Sequence, residues 1–408
     1  MSGVAAAMEE FRQRRSRGSA KRVLVVASAA VVAAGLAAGC GSSDDSSDGG
    51  SATAASATTA TASAGSSPTA AVEALVAKYR KPSNAFVAPG PAVDASSLKG
   101  KTVWFIPLGA VIPALGVEAK GIQEAAAGLG ITVKTCDGKL QPAAASSCIS
   151  QATKSGADGI LIDSITPQTV TTALRAAEAK KIPVVQMFGV QGTNGPYTQF
   201  VSLEDRQSHA IAADWIIADS KGKANVLTST SVGDLAAENT VKNGGGAEFA
   251  SKCPDCDITN VNITPTTVES LTAATSTALL KNPKVNYGLP EFDFLVPLFQ
   301  RGVQQAGRTT KMKIVSTNGV LSSMQLVKSG KQAADGAGNR NYGGWQAMDA
   351  YVRLALGKPA PTKQFIPPRV FDSTNIGTVS LTEAASKSGE WFGDLGYKQD
   401  FLKLWGAQ

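Results

Sequence analysis

Strand-like and helix-like segments alternate along this chain twice over, and that alternation limits the fold more than any other feature. "TVWFIPL" (102–108), "ITVKTCD" (131–137), "GILIDS" (159–164), "PVVQMF" (183–188) and "YTQFVSL" (197–203) are short apolar runs bounded by Gly, Pro and Asp. Such runs suit strands buried on both faces. Helix-length segments lie between them over 114–128, 142–156 and 167–180. The alternation then restarts. Strands over 224–230, 258–263, 285–292 and 313–319 are interleaved with helices over 209–220, 236–250, 268–280, up to 306 and 322–328. Helices of this length between strands make βαβ units and parallel sheets. The pattern predicts an α/β protein of two Rossmann-like lobes joined near Leu203–Asp205, with 333–357 returning to the first lobe. In open α/β sheets, ligands bind outside the carboxyl ends of the strands. Two such sheets facing each other make a cleft that a hinge can close.

The chain has 408 residues, 43% apolar and 17% charged, enough for a well-buried core. Its net charge is +7, and residues 1–39 hold six basic residues against two acidic ones. The remainder has no basic stripe, which argues against nucleic-acid binding. After Arg22 come sixteen small apolar residues, Val23 to Ala38, the layout of a secretory signal over 1–39 and short of a spanning helix. The Ser/Ala/Thr/Gly tract that follows, over 40–70, cannot bury enough surface to fold and reads as a tether. "LAAGC" resembles a bacterial lipoprotein lipobox, although Leu36 stands four residues before Cys40 rather than three. That resemblance implies an acylated Cys40 and a domain anchored to the outer face of a membrane.

The blocks "KGKTVWFIPLGAVIPALGVEAKGIQEAAAGLGITV", "SGADGILIDSITPQTVTTALRAAEAKKIPVVQMF", "PEFDFLVPLFQRGVQQAG" and "KIVSTNG" carry a second resemblance. In order and spacing they resemble type I periplasmic binding proteins of the ribose- and galactose-binding group. The resemblance implies a hinge crossed three times. It also implies a small solute in the cleft, with sugar as the family expectation, and delivery to the membrane subunits of an ABC importer by a monomer without cofactor. The first lobe would be 100–203 plus about 339–358, and the second 204–338 plus part of the tail over 359–408. Carried over block by block, the pocket positions fall on Ala114, Leu115, Asp163, Phe188, Thr266, Phe292, Asp293, Asn318 and Asn339, with Gly109 beside the first strand. Few of these are the charged groups that fork onto sugar hydroxyls, so a less polar ligand or a cation stays open. Asp163 and Asp293 equally suit helix caps, and Asn318 a simple turn. A sensor that presents its ligand to a membrane receptor is the other role this fold serves.

Little in the sequence points to catalysis. His209 is the only histidine, so multi-histidine metal sites are excluded. No nucleophile elbow or phosphate loop occurs, and "NGGGAEF" (243–249) reads as a helix interruption. Besides Cys40, four cysteines remain, an even number that suits disulfides after export. Cys136 and Cys148 lie at adjacent ends of a βα unit, leaving Cys253 and Cys256 in "SKCPDCD" to close a small loop. A zinc site there would lack two ligands, and a thioredoxin-like dithiol would need a helix after the motif. A lead-in helix within 71–99 is expected to lie on the first lobe, and Trp391, Phe392, Phe401, Leu404 and Trp405 to pack as tail helices on a lobe.

Overall fold

The computed structural model describes residues 68–83, 85–189, 199–201, 205–359 and 365–407. Cys40, the signal segment, nearly all of the tether, and Leu203 and Glu204 of the expected join lie outside them. In chain order, α1 (Pro68–Tyr79) precedes β1 (Thr102–Pro107), α2 (Pro113–Gly128), β2 (Thr132–Thr135), α3 (Pro142–Lys154) and β3 (Gly159–Asp163). α4 (Thr171–Ala179), β4 (Val184–Met187) and β5 (Gln199–Val201) complete the first set. The second set starts with α5 (Asp205–Asp219), β6 (Asn225–Ser231), α6 (Leu235–Thr240), α7 (Gly246–Lys252), β7 (Asp257–Ile263) and α8 (Leu271–Lys281). It continues with β8 (Tyr287–Leu289), α9 (Val296–Gln305), β9 (Lys313–Thr317), α10 (Leu321–Lys328) and β10 (Ala334–Gly338). Last come α11 (Arg340–Ala355), β11 (Pro368–Asp372), α12 (Glu383–Ser388) and α13 (Tyr397–Leu404).

The first sheet runs β2-β1-β3-β4-β5, parallel throughout. The second repeats the order as β7-β6-β8-β9-β10 and adds β11 antiparallel at the edge. The inner strands β1, β3, β4 and β6 are buried on both faces, which is why they read as apolar runs rather than alternating ones. The sequence expectation of a proline-rich tail overlooks β11. A proline suits the first residue of an edge strand, and Pro368 stands there.

After β10 the chain returns to the first lobe as α11, whose residues Arg340 to Arg353 are all buried. It crosses α2 at glycines. A Cβ on Gly121 would stand 2.2 Å from the Asn341 carbonyl oxygen, and one on Gly344 would stand 2.5 Å from that of Glu118. Arg340 and Glu118 pair across this crossing, both buried.

The chain ends correct two expectations. α1 lies on the second lobe, not the first: Val72 and Val76 join Ile211, Trp215 and Ile216 of α5. Arg80 seals the contact, pairing with Asp372 of β11 at 2.7 Å, while Trp215 Nε1 donates to the same carboxylate at 2.8 Å. The chain then moves to the first lobe, where Val93 N donates to the Leu404 carbonyl at 2.8 Å. The tail likewise divides. Trp391 and Phe392 pack on Phe371 in the second lobe, whereas Phe401 and Trp405 stack on Trp345 in the first. Lead-in and tail thus bridge the lobes in addition to the hinge segments.

Both disulfides form as expected, with Cα separations of 5.7 Å for Cys136–Cys148 and 5.3 Å for Cys253–Cys256. "NGGGAEF" is a π-helical turn kinked at Gly244, wrapped round the buried His209. A Cβ on Gly245 would come within 2.4 Å of the imidazole, and Nδ1 accepts the Gly245 N–H at 3.0 Å.

If the α2–α11 crossing holds the returning chain, Gly344→Val must push it apart. Overpacking of this kind costs about 1–3 kcal/mol, or more against backbone. Thermal melting of the variant is expected several degrees lower; an unchanged midpoint would contradict the crossing.

Candidate functional site

Strand order reverses between β1 and β3 in the first lobe and between β6 and β8 in the second. These switch points, at the carboxyl ends of the strands, are where open α/β sheets bind ligands. An acid stands at each. Asp163 ends β3 opposite Pro107. It is buried, and its Oδ1 accepts from the Ser164 hydroxyl at 3.1 Å. At the matching place beyond β8 stands Glu291, also fully buried. One of its carboxylate oxygens accepts Ser231 N–H at 2.6 Å and the other accepts the Ser231 hydroxyl. Its own N–H donates to Ser229 Oγ at 3.3 Å, and its carbonyl accepts from Thr317 Oγ1 at 2.9 Å. Burial pushes the Glu291 carboxyl up to about 7; the Ser231 bonds oppose the shift, and the negative charge of Asp234 adds to it.

Three residues just beyond strand ends hold positive φ without being glycine: Ser164 (57°), Phe188 (38°) and Asn318 (111°). Backbone strain of this kind collects at functional sites. Near the crossovers a pocket is lined by Phe188, Gln207, Ser208, Gly338, Arg340 and Ile366. Residues flanking all three expected hinge segments meet here. The Arg340 guanidinium lies 4.4 Å over the Phe188 ring while paired with Glu118, a desolvated cation–π contact.

The expected positions separate into two groups. Asp163, Phe188, Phe292 and Asn318 stand at strand ends facing this region, with Ala114 and Leu115 in the first turn of α2. Phe292 is half-buried and its ring stacks on Phe294 at 6.1 Å. Gly109 makes room for the Leu140 side chain, since a Cβ there would stand 2.7 Å from Leu140 Cδ2. Thr266 is exposed beyond the edge strand β7, its hydroxyl 3.1 Å from that of Thr264. Asp293 and Asn339 turn inward. Asn339 caps α11 by accepting Tyr342 N–H at 3.1 Å. Asp293 accepts Val320 N–H at 2.9 Å and faces Asp335, which in turn accepts Gly319 N–H at 3.0 Å. Burial raises both carboxyls, and the Asp293 charge beside it raises Asp335 further. The pair ties the β8–α9 loop to the β9–α10 loop.

Glu291, one position before Phe292, is not among the expected positions. The signal was available: "GILIDS" and "YGLPEF" end alike, with an acid before the turn. His209 accepts a backbone N–H, is fully buried, and is pushed down to about 4 by desolvation. Among the described residues no cluster of His, Cys, Asp or Glu suits a metal ion.

A family model described as a periplasmic binding protein domain matches residues 115–359. A glucose-galactose binding protein from Geobacillus stearothermophilus has 18% identity and a TM-score of 0.61, with 68% of this chain and 99% of that one covered. An ABC transporter solute binding protein from Agrobacterium vitis, bound to α-D-tagatopyranose, has 18% identity and a TM-score of 0.62, with 70% and 97% covered. A fructose-binding periplasmic domain of a hybrid two-component system has 17% identity and a TM-score of 0.60, with 68% and 92% covered. No curated protein sequence matches.

The two buried titrating groups predict opposite pH effects on stability. Glu291 ionises near 4.5 when unfolded and near 7 when folded. Its contribution is complete below pH 4.5 and lost as pH rises through 7, a loss of about 3 kcal/mol. His209 falls from 6.5 to about 4 on folding, so its contribution is complete above pH 6.5 and lost as pH falls toward 4. Denaturant melts of Glu291→Gln beside the parent from pH 5 to 8 are expected to diverge in the variant's favour as pH rises. Parallel curves would contradict the buried, protonated carboxyl.

Proposed function

The chain belongs to the periplasmic binding protein domain family, and we propose from that premise that it captures a small sugar or sugar-like solute for an ABC importer. Members of this family are extracytoplasmic proteins of the two-lobed type I fold that bind small sugars and work with ABC transporter components. The observation carrying the proposal is the pair of acids at equivalent switch points, Asp163 in one lobe and Glu291 in the other. One carboxyl group at the strand ends of each lobe would let a ring's hydroxyls be held from both sides, which couples capture to lobe closure. Phe188 and Arg340 form the floor of the cleft, and Phe292 stands on its second-lobe wall. The protein works without catalysis and without a cofactor: it binds, closes and releases.

Anchoring through Cys40 completes the proposal. The signal-like segment, the lipobox-like "LAAGC" and the small-residue tract after it support a lipoprotein held outside the cell membrane. Likeness to a fructose-binding domain of a hybrid two-component system favours one second reading, a sensor of the same solute.

Four outcomes are expected. A thermal-shift panel of pentoses, hexoses and polyols on the Cys40→Ala chain gives a stabilising solute, worth about 2.7 kcal/mol at a hundredfold excess over Kd. Asp163→Asn and Glu291→Gln each weaken that solute about ten- to hundredfold, the scale of a buried charged or carboxyl hydrogen bond; full affinity in both variants would remove the acids from the site. A strain deleted for the gene that loses growth on the solute supports import, whereas lost induction with intact growth supports the sensor. In cells, Cys40→Ala shifts the protein from membrane to medium and abolishes palmitate labelling; unchanged fractionation contradicts the anchor.

A further inference from the structure

The large apolar side chains left exposed are not scattered. Val111, Leu140, Val232, Leu235 and Phe294 are 42–62% exposed, and all five stand on loops or first helical turns beyond the carboxyl ends of β1, β2, β6 and β8. Among the described residues, only Val87, Ile258 and Leu280 are comparably exposed elsewhere, on the lead-in, an edge strand and a helix end. Single exposed apolar residues need no explanation, but a group rimming a polar site marks binding. Here the rim comes from both lobes.

The first-lobe part is built to hold its shape. The loop beyond β2 is clamped at its base by Cys136–Cys148. Ala110 N–H and Lys139 N–H both donate to Asp137 Oδ1 at 2.9 Å, and Leu140 N–H donates to the Leu108 carbonyl at 2.8 Å. Lys139 and Leu140 both hold positive φ, 53° and 57°. Strained backbone under a disulfide thus presents a leucine to solvent, beside Val111. In the second lobe Phe294 stacks on Phe292, which directly follows the switch-point acid Glu291. The apolar rim thus reaches Phe292, the residue next to the switch-point acid.

We infer that the solute is bipartite: an uncharged polyhydroxyl body held between Asp163 and Glu291, and an alkyl or aryl substituent held between Val111 and Leu140 on one lip and Phe294 on the other. The inference rests on the proposed solute-binding function and narrows its ligand class to glycosides with an apolar substituent. Burial of Glu291, which keeps its carboxyl protonated near neutrality, suits an uncharged body. A bare monosaccharide would leave the lips facing water.

The test compares matched probes on the Cys40→Ala full-length chain by calorimetric titration: phenyl and methyl glycosides of glucose, galactose and arabinose, with the free sugars. The phenyl member of at least one pair is expected to bind about tenfold tighter or better, the effect of burying about two methylenes of apolar surface. Leu140→Ser and Phe294→Ser should each reduce that gain and leave methyl-glycoside affinity in place. Both positions are exposed, so the variants should fold; their melting points without ligand check this. Equal affinity for both members of every pair, with a free sugar still bound, overturns the inference and leaves the proposed function intact. Lip variants that keep every affinity but lose uptake overturn it in favour of a protein partner on the rim. Binding of no sugar and no glycoside overturns the inference and the proposed function together.

Discussion

The close crossing of α2 and α11 is the constraint on which the rest of the molecule depends. A chain that builds a second sheet after leaving the first must return, and α11 is that return. Its buried length from Arg340 to Arg353 leaves no face for water. Gly121 and Gly344 let the two backbones touch where any Cβ would collide. At the entry to the crossing, Glu118 holds Arg340, and Arg340 covers Phe188 at the end of β4. Removing one partner of such a buried pair leaves the other charge uncompensated, at a cost of about 3–5 kcal/mol. The same residues that lock α11 to the first lobe thereby shape the floor of the cleft. Arg80 with Asp372, and Trp345 with Trp405, extend the fastening to both ends of the chain.

Duplication of one strand order explains where the chemistry sits. Each lobe reverses direction beside its first strand, and each places one acid there. Neither acid is exposed, and Ser231 engages both oxygens of Glu291. The site therefore offers oriented hydrogen bonds rather than a strong field. His209, the only histidine in the sequence, is occupied in shaping a π-helical turn. Strained backbone at Ser164, Phe188 and Asn318 lies at the same carboxyl ends of the strands.

The two sheets were legible in the sequence because strands buried on both faces leave short apolar runs that composition alone reveals. The disulfides were legible because cysteine spacing coincided with βα geometry. β11 was not, since an edge strand opening on Pro368 looks like a tail. The side chosen by α1 was not legible either: Val72 and Val76 form an apolar stripe that any groove would accept, and the polar partners that select the second lobe, Asp372 for Arg80 and Lys221 for Glu73, lie far along the chain. In the site, Asp163 could be read because it ends a strand. Glu291 and Asp293 could not be told apart, because local sequence does not show which of two nearby acids bonds to the neighbouring strand and which turns under the next loop. The inward turn of Asp293 depends on Asp335, Val320 and Gly319, residues brought in by another strand and loop.

Hydrogen–deuterium exchange with the most stabilising sugar from the panel addresses the central claim, that one solute is held between the lobes. Saturating solute should protect backbone amides in two separate places at once, around 163–165 and 188–189 in the first lobe and around 231–234 and 291–294 in the second. Protection confined to a single lobe, or absent from both switch points while the solute is bound, would contradict the account.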